Sequence, residues 1–263
     1  MKSQNNIEVI GIPYEGRENF LRGTFLGPAK IRWAFESIEW FSIYQKKEIP
    51  DFYDHGDLYL YLLDEPEKFI EGCVERLNEI HLSLPFVALG GDHLITYPLI
   101  KYLKEKNYTF KVIHLDAHLD RRDSFHGSRF SHATVIRRIE ELLGPENVIS
   151  FGFRSYYPGE HEAKRGEAFK VFEPLRMLVQ EENGPFYLTI DLDILDPSIM
   201  SAVSNPEPGG INFGELLNSI LLLKDKLLAV DMVELNPLLE KDHASSTLAA
   251  VIFREILITL GER

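Results

Sequence analysis

Asp116-Ala117-His118-Leu119-Asp120 places three side chains able to bind a metal ion at alternate positions. The run before them, Phe110-Lys111-Val112-Ile113-His114-Leu115, reads as a buried strand, so the cluster falls where that strand ends. The carboxyl end of a strand in an open α/β sheet is the usual place for chemistry. Alternate residues on a strand share a face and lie about 6.6 Å apart, so two such side chains can converge on one ion. The third reaches it only if the chain curls as the strand runs out.

Four further polar motifs sit at or near strand ends. Gly90-Gly91-Asp92-His93 follows the apolar run Phe86-Val87-Ala88-Leu89, and its glycines permit a tight turn that aims His93 at the sheet edge. Asp191 and Asp193 repeat the alternate spacing after Phe186–Ile190, and Asp196-Pro197 reads as turn chemistry. Glu234 interrupts the apolar stretch Leu227–Leu235 with no basic residue nearby in sequence to pair with it, so a bound cation is a reasonable partner. Ser131 suits a helix N-cap, which leaves the neighbouring His132 unexplained. Parallel strands deliver their carboxyl ends to one edge, so these sites would gather there. His93, Asp116, His118, Asp120, Asp191 and Asp193 form an oxygen-rich set with two imidazoles and no thiolate, which suits manganese better than a cysteine-rich zinc site. Six ligands can serve two ions if some carboxylates bridge, and paired ions activate a shared water. Four aspartates, two divalent ions and a bridging hydroxide sum to one negative charge, which suits a cationic electrophile.

The elements that must position these residues alternate between strand and helix. Strands are expected at Ile7–Ile12, Phe86–Leu89, Phe110–Leu115, Val148–Phe153, Phe186–Asp191 and Leu227–Leu235. Helices are expected from Gly27-Pro28 to about Phe41, from Glu65-Pro66, over His93–Lys106 and Ser131–Leu143, from Phe213 to Leu223, and from Ser245 to Leu260. The strands are continuous apolar runs, as expected when helices cover both faces of a parallel sheet. With no repeat, linker or composition shift, the expectation is one α/β domain over residues 1–263: a three-layer α/β/α sandwich on a central, mostly parallel sheet.

The composition, 44% hydrophobic and 26% charged over 263 residues, is ordinary for a globular chain. A net charge of −13 argues against general nucleic-acid binding, which needs a basic face. The longest apolar candidate for a membrane span, Leu216–Val230, is broken by Lys224, Asp225 and Lys226, and residues 1–6 lack a signal-peptide core. The single cysteine, Cys73, excludes a disulfide framework and reads as a buried thiol on a helix. The expectation is a cytoplasmic protein with no nucleic-acid or membrane partner.

Taken jointly, the chain resembles the ureohydrolase (arginase/agmatinase) family over nearly its whole length. The resemblance rests on Gly90-Gly91-Asp92-His93, Asp116-Ala117-His118-Leu119-Asp120, Asp191–Pro197 and Glu234-Leu235-Asn236-Pro237. Gly11-Ile12-Pro13, Gly27-Pro28 and the Pro206-Glu207-Pro208-Gly209-Gly210 turn also match. It implies a binuclear manganese centre, two Mn2+ per chain. One ion would be held by His93, Asp116, Asp120 and Asp191, the other by Asp116, His118, Asp191 and Asp193. It further implies attack of a metal-bridging hydroxide on a guanidinium carbon, releasing urea and an amine. Asp120 would carry the proton to the leaving amine, Glu234 would hold the guanidinium and His132 would shuttle protons near the cleft mouth. A homo-oligomer, trimer or hexamer, is implied as well. Three positions depart from the family pattern without touching a ligand: Leu94 stands where serine is frequent, Val203-Ser204-Asn205 where Thr-Gly-Thr is common, and Ala133 where glycine is frequent. Asn205 keeps the capacity to hydrogen-bond substrate.

The stretch Arg121–Ser128 lacks the asparagine-rich pattern with which arginase-like members grip an α-amino acid, and with Ser131–Arg138 it is similar to a prokaryotic agmatinase-type branch. The expected substrate is therefore a small cationic guanidinium compound, agmatine or N1-aminopropylagmatine, giving putrescine or spermidine. Arg121-Arg122 keep a formimidoylglutamase or arginase activity on an amino-acid substrate as the alternative, although pairing with Asp123 or nearby surface acids explains them more simply. A D-x-D transferase would want a phosphate loop that Gly90-Gly91 does not make, and a metal-stabilised scaffold would have little use for Glu234 and His132.

Overall fold

The computed structural model describes residues 7–16, 21–58, 60, 65–160 and 166–261, so the N-terminal residues read above for a signal peptide lie outside it. In chain order the elements are β1 (Ile7–Ile12), α1 (Gly27–Phe35), β2 (Phe41–Ser42), β3 (Lys47–Glu48), β4 (Phe52–Asp57), α2 (Pro66–Glu79), β5 (Phe86–Gly90), α3 (Thr96–Glu105) and β6 (Lys111–Leu115). There follow α4 (Val135–Leu143), β7 (Val148–Phe151), β8 (Gly166–Glu167), α5 (Phe172–Glu181), β9 (Phe186–Asp191), α6 (Phe213–Leu222), β10 (Leu227–Val233) and α7 (Ala244–Gly261). Eight strands form one sheet in the order β4-β1-β5-β10-β9-β6-β7-β8, and every pairing in it is parallel. The strands β2 and β3 make a separate antiparallel hairpin.

Alternation along the strands feeds two cores. Val9, Leu89, Leu115, Leu188 and Met232 pack with α1, α5, α6 and α7 on one face. Ile10, Ala88, Val112, Tyr187 and Ala229 pack with α2, α3 and α4 on the other. This is the three-layer α/β/α arrangement that the apolar strands require, because each must be covered on both sides. The four central strands, β5, β10, β9 and β6, are those preceding His93, Glu234, Asp191 and Asp116, so the topology brings the four chain segments side by side.

Several expectations need correction. α1 stops at Phe35 rather than about Phe41, because the chain turns into the β2–β3 hairpin, where Ser42 Oγ and Gln45 Nε2 donate to the buried Glu255 carboxylate of α7. The edge strands β4 and β8, the hairpin and α5 lie where no element is expected from the sequence. β4 pairs on one side only and keeps a polar sequence, Phe52-Tyr53-Asp54-His55-Gly56-Asp57, without the apolar run of a central strand. Among the described residues the helix long and apolar enough to cross a membrane by composition alone is α7 rather than a segment within Leu216–Val230, but 72% of it is buried inside the fold. Cys73 is buried on α2, as expected.

Close backbone approach fixes the turn after β5. Gly91 N–H donates to Ile12 O at 3.0 Å and Asp92 N–H to Tyr14 O at 2.9 Å. A Cβ on Gly91 would lie 1.9 Å from Tyr14 O, a backbone atom that cannot swing away. Gly91→Ala should therefore lower stability by about 1–3 kcal/mol through overpacking, read as a fall in melting temperature. An unchanged melt would show that the turn is not held this way.

Candidate metal centre

Each of the four central strands ends in a turn that points a polar side chain over the sheet edge. Leaving β5, Asp92 Oδ1 accepts from Leu94 N–H and caps the turn carrying His93. Leaving β9, Asp191 Oδ1 accepts from Asp193 N–H at 2.8 Å. Leaving β6, Asp116 Oδ1 accepts from His118 N–H at 2.6 Å, and Asp193 Oδ1 accepts from Ala117 N–H at 3.0 Å. The side chains thus hold the turns that present them.

The curl required of the D-x-H-x-D segment is present. β6 ends at Leu115, before the cluster, and Asp120 takes the left-handed backbone with φ 50°. Glu234 does the same with φ 70°, its N–H donating to Gly91 O at 2.8 Å. Non-glycine residues held there cost on the order of 1–3 kcal/mol each and collect at functional sites.

All six expected ligands converge. His93 Nδ1 lies 3.1 Å from Asp116 Oδ2, 3.2 Å from Asp120 Oδ2 and 3.4 Å from Asp191 Oδ2, yet makes no properly directed hydrogen bond. His118 Nδ1 lies 2.8 Å from Asp193 Oδ2 and 3.4 Å from Asp116 Oδ1. Asp116 therefore faces His118 with Oδ1 and both His93 and His114 with Oδ2. Glu234 Oε1 accepts from His93 N–H at 2.8 Å, and no basic side chain among the described residues pairs with this carboxylate.

The electrostatics show the strain of this packing. Burial, then the Asp116 charge, pushes Asp120 up to about 7. Burial with Asp193 and Asp116 raises Asp191 well above the carboxylate range, and Asp193 and Glu234 are raised too, chiefly by burial. Burial alone would also raise Asp116, but His114, His118 and His93 hold it well below its ordinary value. His93 shows the converse: desolvation lowers it, and the closeness of the Asp116, Asp120 and Asp191 carboxylates outweighs that and raises it well above the ordinary imidazole value. Buried carboxylates this close need positive charge between them. An undirected imidazole nitrogen facing three carboxylate oxygens is the donor geometry of a cation site, so the residues fit divalent metal ions. Two ligand groups can be distinguished, His93, His114, Asp116 and Asp120 on one side and Asp116, His118 and Asp193 on the other, with Asp116 common to both.

Beside the centre opens a cavity of 320 Å³, walled by Asp120, Asp191, Asp193, Glu234 and His132 at the inner end and lined also by Asn205. Burial lowers His132 to about 4, with His93 and His118 adding to the effect, so its imidazole is neutral at neutral pH. Asn205 is exposed at the rim beside Ser204, whose hydroxyl donates to Leu21 O. The outer wall carries Phe125, Tyr156, Tyr157, Glu160 and Arg122. The two arginines differ. Arg121 is buried, with Nη2 2.9 Å from Glu140 Oε1, whereas Arg122 is partly exposed, 4.0 Å from Glu160 Oε2 and set over the Phe125 and Tyr157 rings. Pairing with Asp123 is thereby corrected: Asp123 binds Arg137 and Arg138. Asp196 does serve its turn, accepting from the Ser198, Gly209 and Gly210 N–H groups.

Sequence reasoning passed over His114, whose Nε2 is 2.8 Å from Asp116 Oδ2, and the outer-wall residues Glu160 and Tyr157. A histidine inside an apolar strand was the available signal for the first.

A parallel sheet whose central strands end in imidazoles and carboxylates beside a cavity presents a candidate metal site open to a small molecule. The arginase-family profile matches residues 5–259. Agmatinases from Bacillus subtilis and Bacillus anthracis are 34% and 32% identical, over 95% and 97% of this chain and 90% and 92% of theirs. A solved chain from Clostridium difficile superposes with a TM-score of 0.91 at 28% identity, covering 98% of each chain. The chain belongs to the arginase family, and it is a metal-dependent amidinohydrolase.

Stability should follow the proton count of the centre. Asp120, Asp191, Asp193, Glu234 and His93 all have folded-state values above their unfolded ones, so the metal-free fold binds more protons than the unfolded chain. Stability then falls as pH rises from the ordinary carboxylate value, about 4, through the raised ones, with Asp120 completing its part near about 7. Asp116 acts oppositely only at lower pH, where it would be protonated in the unfolded chain. His114 and His132, both lowered to about 4, act oppositely up to the ordinary imidazole value, about 6.5, but the raised groups, with His118 among them, outnumber them. Chelator-treated protein should melt lower at pH 7.5 than at pH 5.5. A metal-free melt that is flat or rises over this range would contradict the assignment.

Proposed function

We propose that the enzyme hydrolyses the guanidinium group of agmatine or N1-aminopropylagmatine, releasing urea and putrescine or spermidine, with the whole chain acting as one catalytic unit. The carrying observation is Glu234: a buried carboxylate beside the metal ligands at the cavity's inner end, with no basic partner among the described residues, where a planar guanidinium would be received. Support for agmatine over amino acids comes from the relatives, which are named agmatinases, and from the aromatic outer wall with Glu160, which suits a distal ammonium. Oxygen-rich ligands with two imidazoles and no thiolate favour manganese, two ions per chain, which His93, Asp116, His118, Asp120, Asp191 and Asp193 would hold. When bound, the ions supply Lewis acidity and a hydroxide drawn from water at neutral pH.

The chain's own residues do the rest. Glu234 binds and orients the guanidinium, and Asn205 hydrogen-bonds it from the rim. Asp120 accepts the proton released by the nucleophile and passes it to the leaving nitrogen, a role that its place among the ligands allows. Neutral His132 takes up or returns a proton between the cavity and solvent. Asp193→Ala should lose one ion and at least about 100-fold in turnover while remaining folded, measured by metal analysis and urea release. Full activity in that variant would contradict the two-ion reading.

One observation favours the second reading. Arg122 stands in the outer wall, where it could meet the carboxylate of a formimino or guanidino amino acid. Turnover of agmatine, aminopropylagmatine, arginine and formiminoglutamate, side by side in wild type and Arg122→Ala, separates the two. Cleavage of either agmatine compound, little changed in the variant, is expected. Turnover only of the acids, lost in the variant, would replace the assignment.

A further inference from the structure

One level below the metal centre, a row of polar side chains crosses the middle of an otherwise apolar sheet. Asp231 of β10 is in register with Thr189 of β9, Thr189 with His114 of β6, and His114 with Ser150 of β7. All four are buried, at 0–1% exposure. Thr189 and His114 each lie two residues before a proposed ligand, Asp191 and Asp116, and so on the same face of their strands.

The row's hydrogen bonds have a direction. Tyr187 Oη and Thr189 Oγ1 each donate to Asp231, at 2.6 Å. The Thr189 hydroxyl has a single proton and commits it to Asp231, so toward His93 Nε2, 2.9 Å away, it can only accept. In the neutral imidazole that a metal ion requires, the proton must therefore sit on His93 Nε2, which leaves the Nδ1 lone pair for the point where Asp116, Asp120 and Asp191 converge. Thr96 Oγ1, 3.3 Å from Thr189 Oγ1, can use that oxygen's other lone pair.

We infer that Asp231, acting through the Thr189 hydroxyl, is a positioning residue that fixes the tautomer and orientation of His93 and so completes one of the two ion sites. The inference rests on the two-ion reading above. Asp231 touches neither the cavity nor a proposed ligand, and no cation contacts it among the described residues. Burying a carboxylate is costly unless it is hydrogen-bonded, and here Tyr187 and Thr189 satisfy it while Thr189 relays it to His93. Outer partners that orient a liganding histidine typically change metal affinity by about 10–100-fold.

The test is manganese binding by calorimetry and elemental analysis on the full chain, with melts of the metal-free proteins alongside. Wild type should bind two ions. Thr189→Val and Asp231→Leu should bind one ion about 10–100-fold more weakly and keep the other, the one beside His118, at wild-type affinity. Thr189→Ser restores the hydroxyl and should restore both ions. Tyr187→Phe removes an equally buried bond to the same carboxylate and should bind both. Wild-type affinity at both sites in Thr189→Val and Asp231→Leu would overturn the inference. So would equal weakening of both ions with a lowered metal-free melt, or a Tyr187→Phe loss as large as that of Thr189→Val. If wild type itself binds fewer than two ions, the two-ion reading fails first, and the outcome is distinct from that of the variants.

Discussion

Mutual repulsion among Asp116, Asp120, Asp191, Asp193 and Glu234 is the constraint on which the rest of the structure depends. Burial first, and then neighbouring carboxylate charge, raises the proton affinity of Asp120, Asp191, Asp193 and Glu234, and of the five only Asp116 is held low, by His114, His118 and His93. Such a cluster is tolerated where cations enter between the carboxylates. The turns are built to resist its dispersal. Asp116 and Asp191 each bond the backbone two residues ahead, and Asp193 bonds Ala117 across from its own strand. The left-handed backbone at Asp120 and Glu234 then aims two more carboxylates inward.

The sheet supplies the rigidity this needs. Because β5, β10, β9 and β6 are neighbours and parallel, four turns meet above one small area, and both faces are sealed by helices. The polar row beneath connects that scaffold to the ligands, with Asp231 and Thr189 under His93, and Ser150 and His114 under Asp116. Arginase-family membership and metal-dependent amidinohydrolase chemistry are shown by the relatives, and this architecture is consistent with them.

The parts of the fold legible in the sequence are those where burial on both faces imposes a pattern. β1, β5, β6, β9 and β10 are apolar runs, and at the ends of four of them the side chains of His93, Asp116, His118, Asp120, Asp191 and Asp193 lie close together. β4 was hidden because an edge strand exposed on one side can keep Asp54, His55 and Asp57, and α5 because it buries only Leu175 and Leu178. The end of α1 depended on Glu255, more than two hundred residues away, receiving Ser42 and Gln45. Within the site, the ligands announced themselves by spacing. Their supports did not, because Thr189 and Asp231 matter only through cross-strand register, which a single sequence does not state. Arg121 and Arg122 show the same limit: adjacent and alike in sequence, they diverge into a buried pair with Glu140 and a cavity wall.

The most direct test of the central claim is anomalous diffraction from crystals grown with manganese. Two peaks should flank the Asp116 carboxylate, about 3.5–4 Å apart, one beside His93 Nδ1 and one beside His118 Nδ1. A single peak, or peaks that do not share Asp116, would contradict the account.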